Sequence, residues 1–377
     1  MTHRDFAIGS YCSSRSWGGL EMNVLRFLRW MRFRGWDTVV YAHPESRMYA
    51  HADEFEVKKR AVKSEFKFGD VLNATRLGNL IKEDNVRILS LHQSKDMFLG
   101  VLAKLVTRKY FKIIYSQHMH IGADKKDPFH AWEYGHFDAW ITPVQWLADR
   151  VLEKTIVPRE KIHIIPRGIE LDRFQELKPD KHESRLRLNL PPDPYIAGVV
   201  GRLDRKKCQD TAIKALRRLH ADGHRIHLAL IGDKTHREET GYAEYLEKLV
   251  SELNLNDFVH FRPHQKEPEY AYAALDQFVL PSESETAGMV VIEAFASGLP
   301  VTGTRAGGTI SQIKHERNGL LYEPHDDAEL AACMTRYITD PAFAQSVARE
   351  ALTDARLTYS HTAQCEGWER VIGQLTG

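Results

Sequence analysis

The sequence predicts an α/β protein built from two parallel-sheet domains. Three observations carry this. At 377 residues the chain is too long for one ordinary hydrophobic core and suits two. Short apolar runs of strand length alternate with longer segments of helical periodicity, the pattern of repeated βαβ units. Residues 173–194 hold Pro179, Pro191, Pro192 and Pro194 in a polar context, a linker signature that separates a domain at 1–172 from a second at 195–355. The terminal helical segment, 356–377, is expected to pack back on the first domain.

Composition is ordinary for a globular protein, with 43% hydrophobic and 27% charged residues. The net charge of +1 gives no reason to expect nucleic acid as a partner. Its distribution is uneven: residues 1–120 carry 20 Lys and Arg against 12 Asp and Glu, and the remainder is acidic. Cys12, Cys208, Cys333 and Cys365 are far apart and lack metal-ligand spacing, which favours a reducing compartment. The start, MTHRDFAIGSYCSS, lacks a signal-peptide pattern, and no run reaches the ~18 apolar residues of a membrane span. A cytoplasmic protein is expected, with peripheral contact at the inner membrane face left open.

In the first domain, Phe6–Tyr11 reads as a strand, Ser13–Gly19 as a turn, Leu20–Arg34 as a helix and Thr38–Ala42 as the next strand. Gly18 and Gly19 either make a tight strand-to-helix turn or let backbone approach a ligand. The helix interleaves Arg26, Arg29, Arg32 and Arg34 with Phe27, Trp30, Phe33 and Trp36. This is either a solvated basic face over a packed apolar one or an interfacial patch for anionic lipid, with weak, salt-sensitive adsorption. Lys58-Lys59-Arg60, Lys63, Lys67, Lys104, Arg108, Lys109 and Lys112 add charge nearby and favour a lipid or phosphorylated acceptor. Val86–Leu91 and Lys112–Ser116 read as strands. Gln117, His118, Met119 and His120 then fall at the carboxyl edge of the sheet, where open α/β sheets bind ligands. His118 and His120 compete for one role there. Lys125, Lys126 and Phe129 line the acceptor side or a solvated loop. Asp138–Thr142 and Lys161–Pro166 are the remaining strands.

The second domain opens with the strand Ile196–Val200. Arg202 and Lys207 lie in the loop that follows, before a helix through Ile213, Leu216 and Leu219. A fork-shaped guanidinium and a point-charge ammonium on one such loop suit a diphosphate. Arg205 and Lys206 are weaker alternatives. His227–Asp233, Val259–Arg262 and the region of Asn318–Tyr322 supply further strands.

The organising stretch is PSESETAGMVVIEAFASGLPVTG, residues 281–303. A strand ends at Pro281, a small polar loop runs to Gly288, and a buried helix stops at Gly298-Leu-Pro300. The free N–H groups at the helix start form an anion site. Glu285 and Glu293 flank it. Carboxylates repel phosphate but accept hydroxyl groups, so a diphosphate with polyols on both sides fits. Taken alone, the two glutamates read as solubilising charge; their setting reverses that.

These motifs resemble those of the retaining glycosyltransferases of family 4. The resemblance runs from the Gly-Gly loop near Trp17 to Trp368 and implies the GT-B fold, two Rossmann-like parallel-sheet domains facing a cleft. It implies transfer of a hexose from a nucleotide-diphosphate sugar to a hydroxyl of a glycan, lipid-linked or small-molecule acceptor. The catalytic group would be His118, Glu285, Arg202 and Lys207. Donor binding would add Gly18, Gly19, His264, Ala287, Gly288, Met289 and Glu293. Glu293 would take the ribose hydroxyls, Glu285 the sugar hydroxyls, and His118 would sit near the anomeric carbon. No D-x-D occurs, so no metal and no cofactor is expected. Three departures from the family pattern stand out: Ala287 in place of an aromatic or Pro, Arg167 in place of Asn, and Pro263 in place of Gly. Rival readings are another GT-B enzyme (a phosphorylase, whose pyridoxal-phosphate lysine motif is not found, or an epimerase) and a non-enzymatic nucleotide-sugar-binding protein.

Overall fold

The structure is a computed structural model that describes residues 5–64, 69–234 and 241–377. Lys67 of the basic run lies outside the described residues. The chain divides into two units, one of residues up to Pro166 together with His361–Gly377, the other Arg167–Ser360.

The first unit carries a seven-stranded sheet in the order β3-β2-β1-β4-β5-β6-β7, every pair parallel. The strands are β1 (Ala7–Cys12), β2 (Thr38–Ala42), β3 (Lys58–Ala61), β4 (Val86–Leu91), β5 (Lys112–Ser116), β6 (Ala139–Thr142) and β7 (Ile162–Ile164). β1 and β2 are buried at every position, so they read as continuous apolar runs, as strands covered on both faces do. The order turns back between β1 and β4. That is the switch point at which the loops beyond the carboxyl ends diverge and leave a crevice.

β3 was not expected. Lys58 and Arg60 looked like free charge, but they stand on an edge strand and meet one buried carboxylate. Asp84 takes Lys58 at 2.7 Å and Arg60 at 2.6 Å, and also accepts from the Tyr41 hydroxyl at 3.1 Å. Charged side chains on an edge strand also block pairing with another sheet. Lys59 pairs with Asp53 at 2.5 Å and Lys104 with Asp138 at 2.5 Å, while Lys112 stands 3.6 Å from Asp138. Much of the basic run is therefore spent on internal ion pairs.

At the Arg-aromatic helix, Gly19–Phe33, the burial of the rings matches the reading of a packed apolar face. Phe27, Trp30 and Trp36 are 3–5% exposed, and only Phe33, at 53%, faces out. The C-terminal helix His361–Thr376 covers them, with the Phe27 and Trp368 rings 4.5 Å apart. Glu369 on that helix accepts from Trp36 Nε1 at 3.0 Å and Arg34 Nη2 at 2.7 Å. Arg32 pairs with Glu56. The aromatics are core, and two of the four arginines are held by carboxylates. No helix among the described residues is long and apolar enough to cross a membrane.

The second unit carries a six-stranded parallel sheet in the order β10-β9-β8-β11-β12-β13. These are β8 (Ile196–Val200), β9 (His227–Ile231), β10 (Val259–Arg262), β11 (Gln277–Leu280), β12 (Val301–Thr304) and β13 (Leu320–Tyr322). Its switch point lies between β8 and β11. Residues 173–194 depart from the expected linker: they contain the helix Lys181–Arg187, which is part of the second unit. Arg185 is buried there and donates to Ala274 O at 3.0 Å and Asp276 Oδ2 at 2.7 Å. Arg167, which stands where the family pattern has Asn, is half-buried.

The edge strand β10 and its neighbour β9 hold an acid-sensitive pair. His227 Nδ1 and His260 Nε2 are 2.9 Å apart with rings stacked at 3°. One proton lies between the two nitrogens, so charging both rings breaks the bond and sets like charges face to face. Burial, then His227 and Arg262, push His260 down to about 4. Its folded pKa lies below its unfolded value of about 6.5, so the stability is present above that value and is lost as pH falls toward 4. Discounted for partial exposure, the loss is about 1–2 kcal/mol. His260→Asn should therefore narrow the difference in Tm between pH 7 and pH 4.5 by about 2–4 °C. An unchanged difference in thermal melts would assign the acid sensitivity elsewhere.

Candidate functional site

In the second unit the predicted donor residues other than His264, which follows the edge strand β10, lie on the two loops beside the switch point and at the start of the helix after β11. β8 ends at Val200, and its loop carries Arg202 and then a single 3-10 turn, Arg205–Lys207. Cys208 follows at φ +50° and starts the helix Gln209–Ala221. β11 ends at Leu280, and its loop carries Ser282 and Glu285 before the helix Met289–Ala296. The two loops are tied by backbone: Glu283 N–H donates to Lys206 O at 2.9 Å.

Lys207 Nζ forms an ion pair with Glu285 Oε1, and Ser282 Oγ donates to the same oxygen at 2.7 Å. Glu285 Oε2 has no partner among the described residues. One carboxylate oxygen is therefore fixed by the protein and the other is open to accept. The Glu285 main chain is held by the Gly307-Gly308 turn, Gly308 N–H donating to Glu285 O at 2.7 Å. Gly307 sits at φ +54°, and a Cβ on Gly308 would lie 2.1 Å from Thr286 O, so glycine is required at this contact.

Gly288 caps the helix Met289–Ala296. Its N–H donates to Gln312 Oε1 and its carbonyl accepts from Gln312 Nε2, both at 3.2 Å. Part of the anion site expected from sequence is thus taken by a side chain. Ala287 and Met289 flank it and are half-buried. Glu293, a little over one turn into the helix, accepts from the Tyr272 hydroxyl at 2.7 Å. Burial and the adjacent Glu293 carboxylate hold the Tyr272 hydroxyl in its protonated, donating form. The Arg202 side chain is exposed and has no partner among the described residues; its carbonyl accepts from Gln209 Nε2 at 2.8 Å. His264 is exposed, its N–H donating to Asp233 Oδ1 at 3.0 Å.

The other predicted residues belong to the first unit. Gly18 N–H donates to Glu21 Oε2 at 2.9 Å, which closes the turn into the helix, and Gly19 is exposed beside it. His118 follows β5 and is half-buried, with its Nε2 3.2 Å from His92 Nδ1. His92 follows β4, and its Nε2 lies 3.1 Å from Ser90 Oγ, which is 2.5 Å from Ser10 Oγ on β1. The register Ser10↔Ser90 sets that contact. His120 is exposed, 6.2 Å from the Trp146 ring. Sequence reasoning passed over Tyr272, Ser282, Gln312 and His92. Tyr272, Gln312 and His92 act on partners from other elements, which no local pattern marks, and Ser282 acts on Glu285 within its own loop. Among the described residues no group of three or more His, Cys, Asp or Glu could hold a metal ion.

Two sequential parallel-sheet units of this topology define the GT-B fold, and comparison with solved structures agrees. Anabaena HepE, solved in complex with UDP, superposes with a TM-score of 0.83 at 19% identity, over 98% of this chain and 100% of that one. A glycosyltransferase from Rickettsia africae superposes with a TM-score of 0.88 at 16% identity, over the whole of both chains. Residues 17–173 match the family model described as Glycosyltransferase Family 4, and residues 180–354 match Glycosyl transferases group 1. The chain belongs to this glycosyltransferase family. Curated relatives include D-inositol 3-phosphate glycosyltransferase 1 of Catenulispora acidiphila, 31% identical over 60% of this chain and 53% of the relative. The Stackebrandtia nassauensis D-inositol 3-phosphate glycosyltransferase is 30% identical over 60% and 52%. The chain spans about half the length of the curated relatives it matches.

Proposed function

We propose that this protein transfers a hexose from a nucleotide-diphosphate sugar to a hydroxyl group, with retention at the anomeric carbon and without a metal ion. The observation that carries the reading is the Lys207–Glu285–Ser282 group at the switch point of the second sheet, with Glu293 a turn into the adjoining helix. Arg202 and Lys207 neutralise the diphosphate as it leaves, the part a metal plays elsewhere. Glu293, held by Tyr272, accepts from the ribose hydroxyls. Glu285 accepts from the sugar hydroxyls through Oε2. The acceptor oxygen bonds to the anomeric carbon as its bond to the diphosphate breaks, and the acceptor proton passes to the departing phosphate oxygen. Family membership and the UDP held by Anabaena HepE support this reading and make uridine nucleotides the first donors to try.

Titration calorimetry with UDP and UDP-glucose tests it. Glu293→Gln should weaken UDP binding about tenfold, the loss of hydrogen bonds to a charged group, while Glu285→Gln leaves UDP binding nearly unchanged and lowers turnover. A reversed pattern exchanges the two roles. Failure of every nucleoside diphosphate in a panel to bind overturns the reading. Excess chelator should leave most of the activity; loss that magnesium or manganese restores would show that a metal takes part.

A further inference from the structure

The loop after β11 is held at both of its ends by one short segment, residues 307–312. At one end Gly308 N–H donates to Glu285 O at 2.7 Å. At the other, Gln312 closes the helix Thr309–Gln312 and lays its carboxamide on Gly288. Its Oε1 accepts from the Gly288 N–H and its Nε2 donates to the Gly288 carbonyl, each at 3.2 Å. Gln312 is 2% exposed. Its own carbonyl accepts from Asn318 Nδ2 at 3.1 Å, and the same nitrogen donates to Asp354 Oδ2 at 2.7 Å. Asp354 stands on the helix Pro341–Thr358. A buried chain of hydrogen bonds therefore runs from that helix through Asn318 and Gln312 to the start of the helix Met289–Ala296.

The pairing is chemically selective. Gly288 offers one donor and one acceptor, and a carboxamide answers both from one planar group. Turning the amide over would set N–H against N–H and oxygen against oxygen, so the two bonds fix its orientation. An aliphatic side chain of similar size would fill the space without burying polar atoms, so packing alone does not call for glutamine. The pairing also decides which helix N–H groups remain for a ligand. The Gly288 N–H is taken, and the Val291 N–H donates to Gly288 O at 3.2 Å. The N–H groups of Met289 and Val290 make no hydrogen bond among the described residues. They are the first two of the helix, where negative charge is favoured.

We propose that Gln312 is a positioning residue for the donor's diphosphate: by pinning Gly288 at its N–H and its carbonyl, it aims the Met289 and Val290 N–H groups at the phosphate oxygens. The role rests on the transferase reading above. A neutral amide suits the place, because it holds the peptide without setting a negative charge beside the anion.

Calorimetry on the full chain with UDP, UMP and uridine tests this, beside thermal melts that check the fold of each variant. Gln312→Met removes both bonds and nearly keeps the volume. UDP should bind to it about tenfold more weakly, UMP by a smaller factor, and uridine as to the parent. Gln312→Glu, at about pH 8.5, keeps the acceptor, loses the donor and adds negative charge. It should weaken UDP beyond Gln312→Met and again leave uridine unchanged. In the parent, the Met289 and Val290 amide resonances should shift on adding UDP and hold still on adding uridine, a reading that needs no variant to fold. Unchanged UDP affinity in Gln312→Met, an equal loss for all three ligands, or amide resonances that ignore UDP overturns the proposal and leaves the transferase reading standing. A parent protein that binds no nucleoside diphosphate overturns both.

Discussion

Lys207→Ala is expected to reduce kcat/KM by about 100- to 1,000-fold, the usual cost of removing one charged group aimed at developing negative charge. Two effects act together. The departing diphosphate loses a cation, and Glu285 loses the partner that fixes Oε1, keeping only the Ser282 hydroxyl at 2.7 Å. A half-buried carboxylate stripped of its cation repels a diphosphate that Lys207 had attracted. Lys207→Arg keeps the charge but exchanges a compact ammonium for a planar fork, so it should recover only part of the loss. The steady-state constants are to be read beside the UDP dissociation constant. If Lys207→Ala weakens UDP binding and leaves turnover at saturation intact, the lysine serves ground-state binding alone. If neither changes, the ion pair is structural and the leaving group is held by other residues.

Gly308→Ala should be among the most damaging small substitutions in the second unit. A methyl group there would lie 2.1 Å from Thr286 O and 2.8 Å from Thr286 C, and those are backbone atoms that no rotamer change can move. The loop must shift, which costs about 1–3 kcal/mol as overpacking, and the Gly308 N–H to Glu285 O bond of 2.7 Å is stretched with it. The Glu285 main chain is what that bond positions, so donor binding should fall about tenfold or more along with stability. Gly373→Ala is the control: nothing lies within 4 Å of a Cβ there, and the position is inside the helix His361–Thr376. It should hold or raise stability by about 0.5–1 kcal/mol. Chemical denaturation and UDP titration of the two variants decide this. A Gly308→Ala protein as stable as the parent and binding UDP normally would mean that the turn is free to move.

Both variants act on residues whose type was plain in the sequence and whose partners were not. The positions of Lys207, Glu285 and Gly308 in strand-to-helix loops follow from short-range information. An apolar run of strand length, a cluster of small and polar residues and a helical period mark such a loop from either side. The same punctuation located β1, β2, β4, β5, β8 and β10 closely. It missed β3, because an edge strand made of Lys, Lys and Arg has no apolar period. It also missed the helix Lys181–Arg187, where prolines on either side resemble a linker and the stabilising partners of Arg185 lie about ninety residues away.

What the sequence by itself determined was the alternation of elements, the two-sheet architecture and the residue types placed at the carboxyl ends of β8 and β11. Those features depend on periodicity and on glycine and proline, which act over a few residues. What only the tertiary structure decided was which face of each element is buried and which charges are already matched. The aromatics of the Gly19–Phe33 helix became core because a helix more than three hundred residues later lies over them, with Trp368 4.5 Å from Phe27. Lys58 and Arg60 became structural because Asp84 is buried between them. Tyr272 and Gln312 entered the site only by folding, one onto Glu293 and one onto Gly288. An ion pair or hydrogen bond between distant residues leaves no periodic trace in the chain, so its existence is settled by packing.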